Sequence, residues 1–217
     1  MTDMKFEQFH TIAILGGTFN PVHTGHVAIA QAVLQARPEI EQLICMPNHI
    51  PAYKEKTAIV DGSMRLDMLR LAMEQIPKAS VSDFELKRDG YTYTVDTITR
   101  LKQLYPKLQI AFIIGDDSLF QLHKWHEFEC LADLCEILVV AREERRDTIE
   151  AYIHSFCARY PAFRISYVEM PPVPVSSSEI RARIASGSSV QGLVPDQVLQ
   201  YIETHALYKQ ETGRRQI

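Results

Sequence analysis

Cysteine is scarce in this chain, and the few thiols are not arranged in pairs. Cys45, Cys130, Cys135 and Cys157 form no C-x-x-C. A disulfide framework is therefore not indicated, and reduced thiols in a cytoplasmic protein are expected. Basic residues are not in excess either. Lys and Arg number 23 against 27 Asp and Glu, a formal net charge of -4. Duplex nucleic-acid binders usually carry a basic surplus, so no nucleic-acid partner is expected and any anion site has to be local. No apolar run approaches the ~18 residues of a membrane-spanning helix, and no membrane partner is expected. The opening Met1-Thr2-Asp3-Met4-Lys5 lacks the apolar stretch of a secretory leader.

What is present is ordinary for a folded protein: 217 residues, 46% hydrophobic and 23% charged. That length buries a full core as one domain, 1–217. The ordered part is expected over 11–208, with 170–208 a small C-terminal segment and the polar 210–217 frayed. His123, His126, Cys130 and Cys135 are close in sequence, but their spacing fits none of the usual zinc patterns. They read as an amphipathic segment with two core thiols, and no protein metal site is expected.

Short β-branched runs alternate with longer helical patterns. Residues 11–15, 43–46, 110–114, 137–140 and 163–168 read as strands. Residues 27–36, 64–76, 95–104, 149–157, 178–184 and 196–201 read as helices, three of them stopped by Pro38, Pro77 and Pro106. In 64–76 the apolar positions are Met64, Met68, Leu71 and Ala72. The alternation predicts an α/β protein with a Rossmann-like, mostly parallel sheet, helices on both faces and a small C-terminal helical segment. Such sheets bind ligands at the carboxyl ends of their strands.

The first strand runs into Gly16-Gly17-Thr18-Phe19-Asn20-Pro21-Val22-His23-Thr24-Gly25-His26. Two glycines allow a tight turn and close approach of backbone to a ligand. A helix beginning near Thr24 points unpaired N–H groups at that turn, which favours an anion. His23 and His26, three apart, can share a helical face and donate to the same anion. This is neither a Walker loop, since no G-K-[ST] follows, nor G-x-G-x-x-G. Near the end, Val175-Ser176-Ser177-Ser178-Glu179-Ile180-Arg181 follows the extended Pro171-Pro172-Val173-Pro174. A serine caps a new helix there, a second anion site with Arg181 one turn in.

The two segments are similar to the GGTFDPxHxGH and ISSTxIR signatures of the HxGH nucleotidyltransferase superfamily, with Asn20 where Asp is commoner. Asn keeps a turn-favouring side chain. The middle of the chain resembles the bacterial nicotinate-nucleotide adenylyltransferase family. Met46-Pro47-Asn48 with Pro51-Ala52-Tyr53-Lys54 is like its PNxxPxHK stretch. Glu85-Leu86-Lys87-Arg88 with Tyr91-Thr92-Tyr93-Thr94-Val95-Asp96-Thr97 is like its ELxR…SYTxxTL segment. Phe112-Ile113-Ile114-Gly115-Asp116-Asp117-Ser118 with Trp125 is like its FIIGxD…W segment. The resemblance runs from about Thr11 to Tyr208. Tyr53 stands where His is common, His126 where Tyr is common, and Glu143-Glu144 where Pro-Gly is usual.

The resemblance implies transfer of AMP from ATP to nicotinate mononucleotide, giving nicotinate adenine dinucleotide and pyrophosphate in NAD biosynthesis, with Mg²⁺ accompanying ATP. His23, His26 and Arg181 would be the catalytic donors. Gly16, Gly17, Thr18 and Phe19 would line the triphosphate turn and Ser178 the late motif. Asp117 would hold the adenosine ribose, and Arg142 would lie beside the adenine or phosphates. Asn48 and Lys54 would contact the mononucleotide phosphate. Thr94 and the backbone around Trp125 would receive the pyridine carboxylate, with the indole near the ring and His126 beside it. Transfer to nicotinamide mononucleotide, or a non-catalytic nucleotide-binding module of the same fold, is the alternative. A homo-oligomer is compatible with the sequence.

Overall fold

The structure, a computed structural model, describes residues 6–51, 59–88 and 90–209, with the side chains of residues 50, 51, 142 and 143 set aside. Eight strands follow in chain order: β1 (Thr11–Gly17), β2 (Gln42–Pro47), β3 (Ile50–Pro51), β4 (Ala79–Val81), β5 (Tyr91–Thr92), β6 (Gln109–Gly115), β7 (Glu136–Arg142) and β8 (Ile165–Met170). The α-helices are α1 (Thr24–Ala36), α2 (Gly62–Met73), α3 (Thr94–Leu104), α4 (Asp116–Leu119), α5 (Leu131–Leu134), α6 (Arg146–Arg159), α7 (Ser177–Ala185) and α8 (Asp196–Thr204).

Six strands form one parallel sheet in the order β4-β2-β1-β6-β7-β8. After β1 the chain moves to one edge, then returns to the other side of β1 as β6. The order reverses between β1 and β6, and this is the switch point where open α/β sheets leave a crevice at the strands' carboxyl ends. The strands are buried on both faces because helices cover both. Ala13 and Leu15 of β1 join a core layer with Val33 of α1, Met68 and Leu69 of α2, Ile180 of α7 and Val198 and Ile202 of α8. Ile12 and Ile14 join the opposite layer with Ile98 and Leu101 of α3 and Ile149 and Phe156 of α6. Successive strand residues point to opposite faces, so a continuous apolar run feeds both layers.

Boundaries differ from the periodicity in a few places. α2 starts at Gly62 because Asp61 caps it, accepting from Ser63 N–H at 2.8 Å. β8 lies two residues later than the run beginning at Phe163, which is buried beside the strand instead. β3 and β5, two residues each, pair in parallel through Ile50–Tyr91 and Pro51–Thr92. That small ladder ties the Asn48 segment to the start of α3. Among the described residues no helix is long and apolar enough to cross a membrane.

Candidate active site

The glycines at the end of β1 are there because neighbouring rings leave no room for a side chain. A Cβ on Gly16 would stand 3.1 Å from the Phe112 ring, and one on Gly17 3.1 Å from the Phe19 ring. Phe19 takes a left-handed backbone, φ 49°, and is 2% exposed. Its ring lies edge-on to His26 with centroids 4.9 Å apart. Asn20 pins the turn: its Oδ1 accepts from Val60 N–H at 3.2 Å and from the Tyr208 hydroxyl at 3.0 Å. A carboxylate would accept the same two bonds, so this departure from the usual aspartate costs the turn nothing visible.

His23 and His26 face each other, ring centroids 3.8 Å apart. They are not equivalent. His26 Nδ1 accepts from the His23 backbone N–H at 3.2 Å. That assigns the proton of the neutral ring to Nε2, which is then a donor. His23 is partly buried, with its Nδ1 fully enclosed and without a hydrogen-bond partner. Burial lowers its pKa to about 4, so the ring is neutral near pH 7. The intervening Gly25 is a steric requirement: a Cβ there would meet His23 Nδ1 at 3.0 Å and Val175 Cγ1 at 3.2 Å.

The late serine–arginine segment comes to the same turn. Arg181 Nη1 donates to the Asn20 carbonyl at 2.8 Å, and the Ser177 hydroxyl donates to the Pro21 carbonyl at 2.9 Å. The cap of α7 is Ser176, whose Oγ accepts from Glu179 N–H at 3.2 Å. Ser178 lies in the first turn, exposed, with its Oγ 3.0 Å from that of Ser176.

A cavity of about 550 Å³ opens at the switch point. Gly16, Gly17 and Thr18 of the turn, Ile113 to Gly115 of β6, and Asp117 line one part of it. Asn48, Thr94, Trp125 and His126 line another. His23, His26, Arg181 and Ser178 are not in its wall. Arg181 and His26 meet the turn itself, at Asn20 and Phe19. Asp117 is distinguished from its neighbour Asp116, which is committed to a short ion pair with Arg145. The Asp117 side chain is 96% exposed and reaches Arg145 only at 3.7 Å. Gly115, not Asp117, caps α4. Arg142 closes β7 opposite Met170 of β8; its side chain, like Tyr53 and Lys54, lies outside the described residues.

At the far end Trp125 stands edge-on to Phe112, centroids 6.2 Å apart, and Tyr93 faces His126 at 4.3 Å. The Trp125 backbone N–H is given to the Leu122 carbonyl at 3.0 Å. Of the backbone around Trp125, this one N–H is therefore already engaged, and the Trp125 ring lines the cavity. Thr94 opens α3, where first-turn N–H groups have no partner within the helix. Asn48 gives its Nδ2 to the Thr18 hydroxyl at 3.4 Å and leaves Oδ1 buried and unpartnered. Turning the amide over lets Thr18 donate to Oδ1 and places the NH₂ at the buried position.

One residue that the periodicity passed over holds these parts together. Arg65 of α2 is 2% exposed, and among the described residues its guanidinium has only carbonyls for partners. Its Nη1 donates to Thr18 O at 2.8 Å, Nη2 to Asn48 O at 2.8 Å and Nε to Val60 O at 3.1 Å. A planar fork joins the ends of β1 and β2 to the segment before α2 in a way an ammonium does not. Among the described residues no group of three His, Cys, Asp or Glu is arranged to hold a metal. Cys135 is buried but Cys130 is exposed, which corrects the reading of both as core thiols.

The chain matches the cytidylyltransferase-like family model over residues 14–183. It is 35% identical over 198 residues to the nicotinate-nucleotide adenylyltransferase of Bacillus subtilis, covering 91% of this chain and 98% of that one. It is equally 35% identical over 198 residues to a Lachnoclostridium phytofermentans protein named a probable nicotinate-nucleotide adenylyltransferase, with the same coverage. The structure of the Plasmodium falciparum nicotinic acid mononucleotide adenylyltransferase complexed with NaAD superposes with a TM-score of 0.73 at 19% identity, over 91% of this chain and 97% of that chain. That likeness establishes the shared fold, and the sequence relatives settle the rest: the chain belongs to the nicotinate-nucleotide adenylyltransferase family of cytidylyltransferase-like proteins.

Proposed function

We propose that this protein transfers AMP from ATP to nicotinate mononucleotide, releasing pyrophosphate and forming nicotinate adenine dinucleotide. One observation carries the reading. The β1 turn that bears His23 and His26 and meets Arg181 also lends Gly16, Gly17 and Thr18 to the wall of a crevice lined further on by Asn48, Thr94, Trp125 and His126. A phosphate-binding end and a ring-binding end are thus joined through Thr18.

An oxygen of the acceptor phosphate attacks the α-phosphorus of ATP. The P–O bond to the β-phosphate breaks, and its electron pair leaves with pyrophosphate. Both reactants are anions, so screening and alignment supply most of the catalysis. His26 donates from Nε2 as charge builds on the α-phosphoryl oxygens. His23 adds a neutral ring, and the first N–H groups of α7 face the phosphate chain, those of Thr24 and His26 in α1 being held by Leu193 and His23 carbonyls. Arg181, tethered at one nitrogen to Asn20, keeps its remaining donors for the departing pyrophosphate. Asp117 is the ribose acceptor on the ATP side. Asn48 and Lys54 take the acceptor phosphate, and Thr94 takes the ring carboxylate. Donors here are imidazole, guanidinium and backbone N–H, a set that suits phosphate oxygens and not a resident cation. Mg²⁺ therefore belongs with ATP as its counter-ion. The four free thiols, Cys45 and Cys135 among them buried, suit a reducing cytoplasm. Pyrophosphate release tests the reading: it should require both ATP and nicotinate mononucleotide, and release with ATP alone or with neither pairing would refute it.

A further inference from the structure

Glu85 is a buried acid that the adenylyl transfer does not use. It is 5% exposed and stands in the wall of the cavity shared with Thr94, Trp125 and His126. Its Oε1 accepts from the Thr97 hydroxyl at 2.8 Å. Thr97, itself fully buried, lies three residues into α3 from Thr94, on the same helix face. The carboxyl is therefore fixed beside the first turn of α3, within one helical turn of the N–H groups offered to a ring substituent. The nearest guanidinium does not neutralise it: Arg88 gives Nη2 to Asp96 at 3.2 Å and reaches only Thr97 Oγ1, at 3.4 Å, with Nη1.

We propose that Glu85 is a specificity-determining residue of the acceptor pocket: protonated, it donates to the ring carboxylate of the mononucleotide, and ionised, it repels that carboxylate and leaves the carboxamide form unaffected. A carboxamide carries both an acceptor and a donor, so it can meet either form of the acid; a carboxylate accepts only. Burial pushes the Glu85 carboxyl up to about 7, against the Thr97 hydrogen bond and the field of Arg88, which both favour the charged form. The acid is thus divided between its two forms near neutrality. Preference for the nicotinate acceptor holds below that range and falls as pH rises through it. The inference rests on the acceptor assignment proposed above.

Other charged or titratable groups share this region. Arg88 and Asp96 face each other across the loop and α3, and Lys87 pairs with Asp83 at 3.2 Å. Lys124, Asp117, Tyr93 and His126 line the cavity with Glu85. His126, 3.7 Å from Glu127, is the imidazole that shares this cavity with Glu85. The experiment has to separate the two.

The measurement is the ratio of kcat/KM for nicotinate mononucleotide to that for nicotinamide mononucleotide, followed from about pH 6 to about pH 8.5. The ratio cancels the titrations of ATP, of the acceptor phosphate and of His23, which both acceptors share. In the wild type it should fall about thirtyfold, the change in protonated fraction of an acid near 7 in the free enzyme. Glu85→Gln keeps an acceptor for Thr97 and an uncharged donor for the ring, and its ratio should be flat. His126→Gln should retain the slope. A flat wild-type ratio, a slope surviving in Glu85→Gln, or a slope lost in His126→Gln would each overturn the proposal. The wild-type ratio needs no variant, so the test stands even where a substitution impairs folding. Absence of turnover with both mononucleotides would be a different failure, removing the acceptor assignment and this proposal with it.

Discussion

Arg181 and Asn20 are 161 residues apart in sequence, yet the guanidinium of one donates to the carbonyl of the other at 2.8 Å. This contact joins the last functional segment to the first. One nitrogen of the fork holds the turn. Arg181→Ala should therefore raise the KM for ATP at least tenfold while changing that for the mononucleotide little. Arg181→Lys should recover only part, because a point charge cannot hold Asn20 and a phosphate together. Steady-state kinetics with each substrate varied decide it; unchanged ATP parameters would remove Arg181 from the site.

His26→Ala should fold normally and lose at least a hundredfold in turnover, about 3 kcal/mol of transition-state stabilisation. Gly25→Ala should reproduce part of that loss without touching either histidine, since the new methyl would press on His23 Nδ1 at 3.0 Å. Circular dichroism and saturating-substrate rates check both. A near-normal rate in His26→Ala would show that its Nε2 donates to nothing in the transition state.

Arg65→Met should cost about 3 kcal/mol of stability, because Thr18 O, Asn48 O and Val60 O would lose their buried donors. For a chain of this size that is a drop of roughly 6–12 °C in Tm. Urea denaturation and thermal melting report it; a loss within error of zero would mean that other donors replace the guanidinium.

Two buried groups give stability opposite pH slopes. His23 has a pKa of about 4 in the fold against an ordinary 6.5. The unfolded chain takes up the proton first, so its stabilising contribution, present above 6.5, is lost as pH falls toward 4. Glu85 stands at about 7 against an ordinary 4.5. Its contribution is present below 4.5 and is lost as pH rises through 7. Relative to wild type, Glu85→Gln should therefore gain several degrees of Tm between pH 5 and pH 8.5, read by differential scanning calorimetry. A constant difference across that range would contradict the burial argument.

Much of this was legible in the sequence, for physical reasons. Continuous apolar runs at Ile110–Ile114 and Ile137–Val140 demand cover on two faces, which a parallel sheet under two helical layers supplies. The paired histidines around Gly25 and the late serine–arginine segment were visible because each is a local pattern. Arg65 was not, because a helix face is read by its apolar members. The buried positions of α2 include Arg65, Met68, Leu69 and Ala72, spaced i, i+3, i+4, i+7, with Leu66 and Met73 widening the same face. The charge at the first of them breaks the apolar pattern, while the apolar Met64 beside it is only half-buried. β3 and β5 were missed because two residues carry no period. The Thr97 partner of Glu85, twelve residues away and on another element, has no signal in sequence at all.

The central claim is adenylyl transfer to a mononucleotide whose ring carries a carboxylate, and a competition experiment reaches it most directly. Equal concentrations of nicotinate and nicotinamide mononucleotide are offered together with limiting ATP and Mg²⁺ near pH 7, and the dinucleotide products are separated by mass. The product ratio equals the ratio of the two kcat/KM values. The carboxylate product should exceed the carboxamide product at least tenfold, the worth of one well-made charge-assisted contact at about 1.4 kcal/mol or more. Equal amounts, or an excess of the carboxamide dinucleotide, would contradict the acceptor assignment, and the absence of either dinucleotide would contradict the transfer itself.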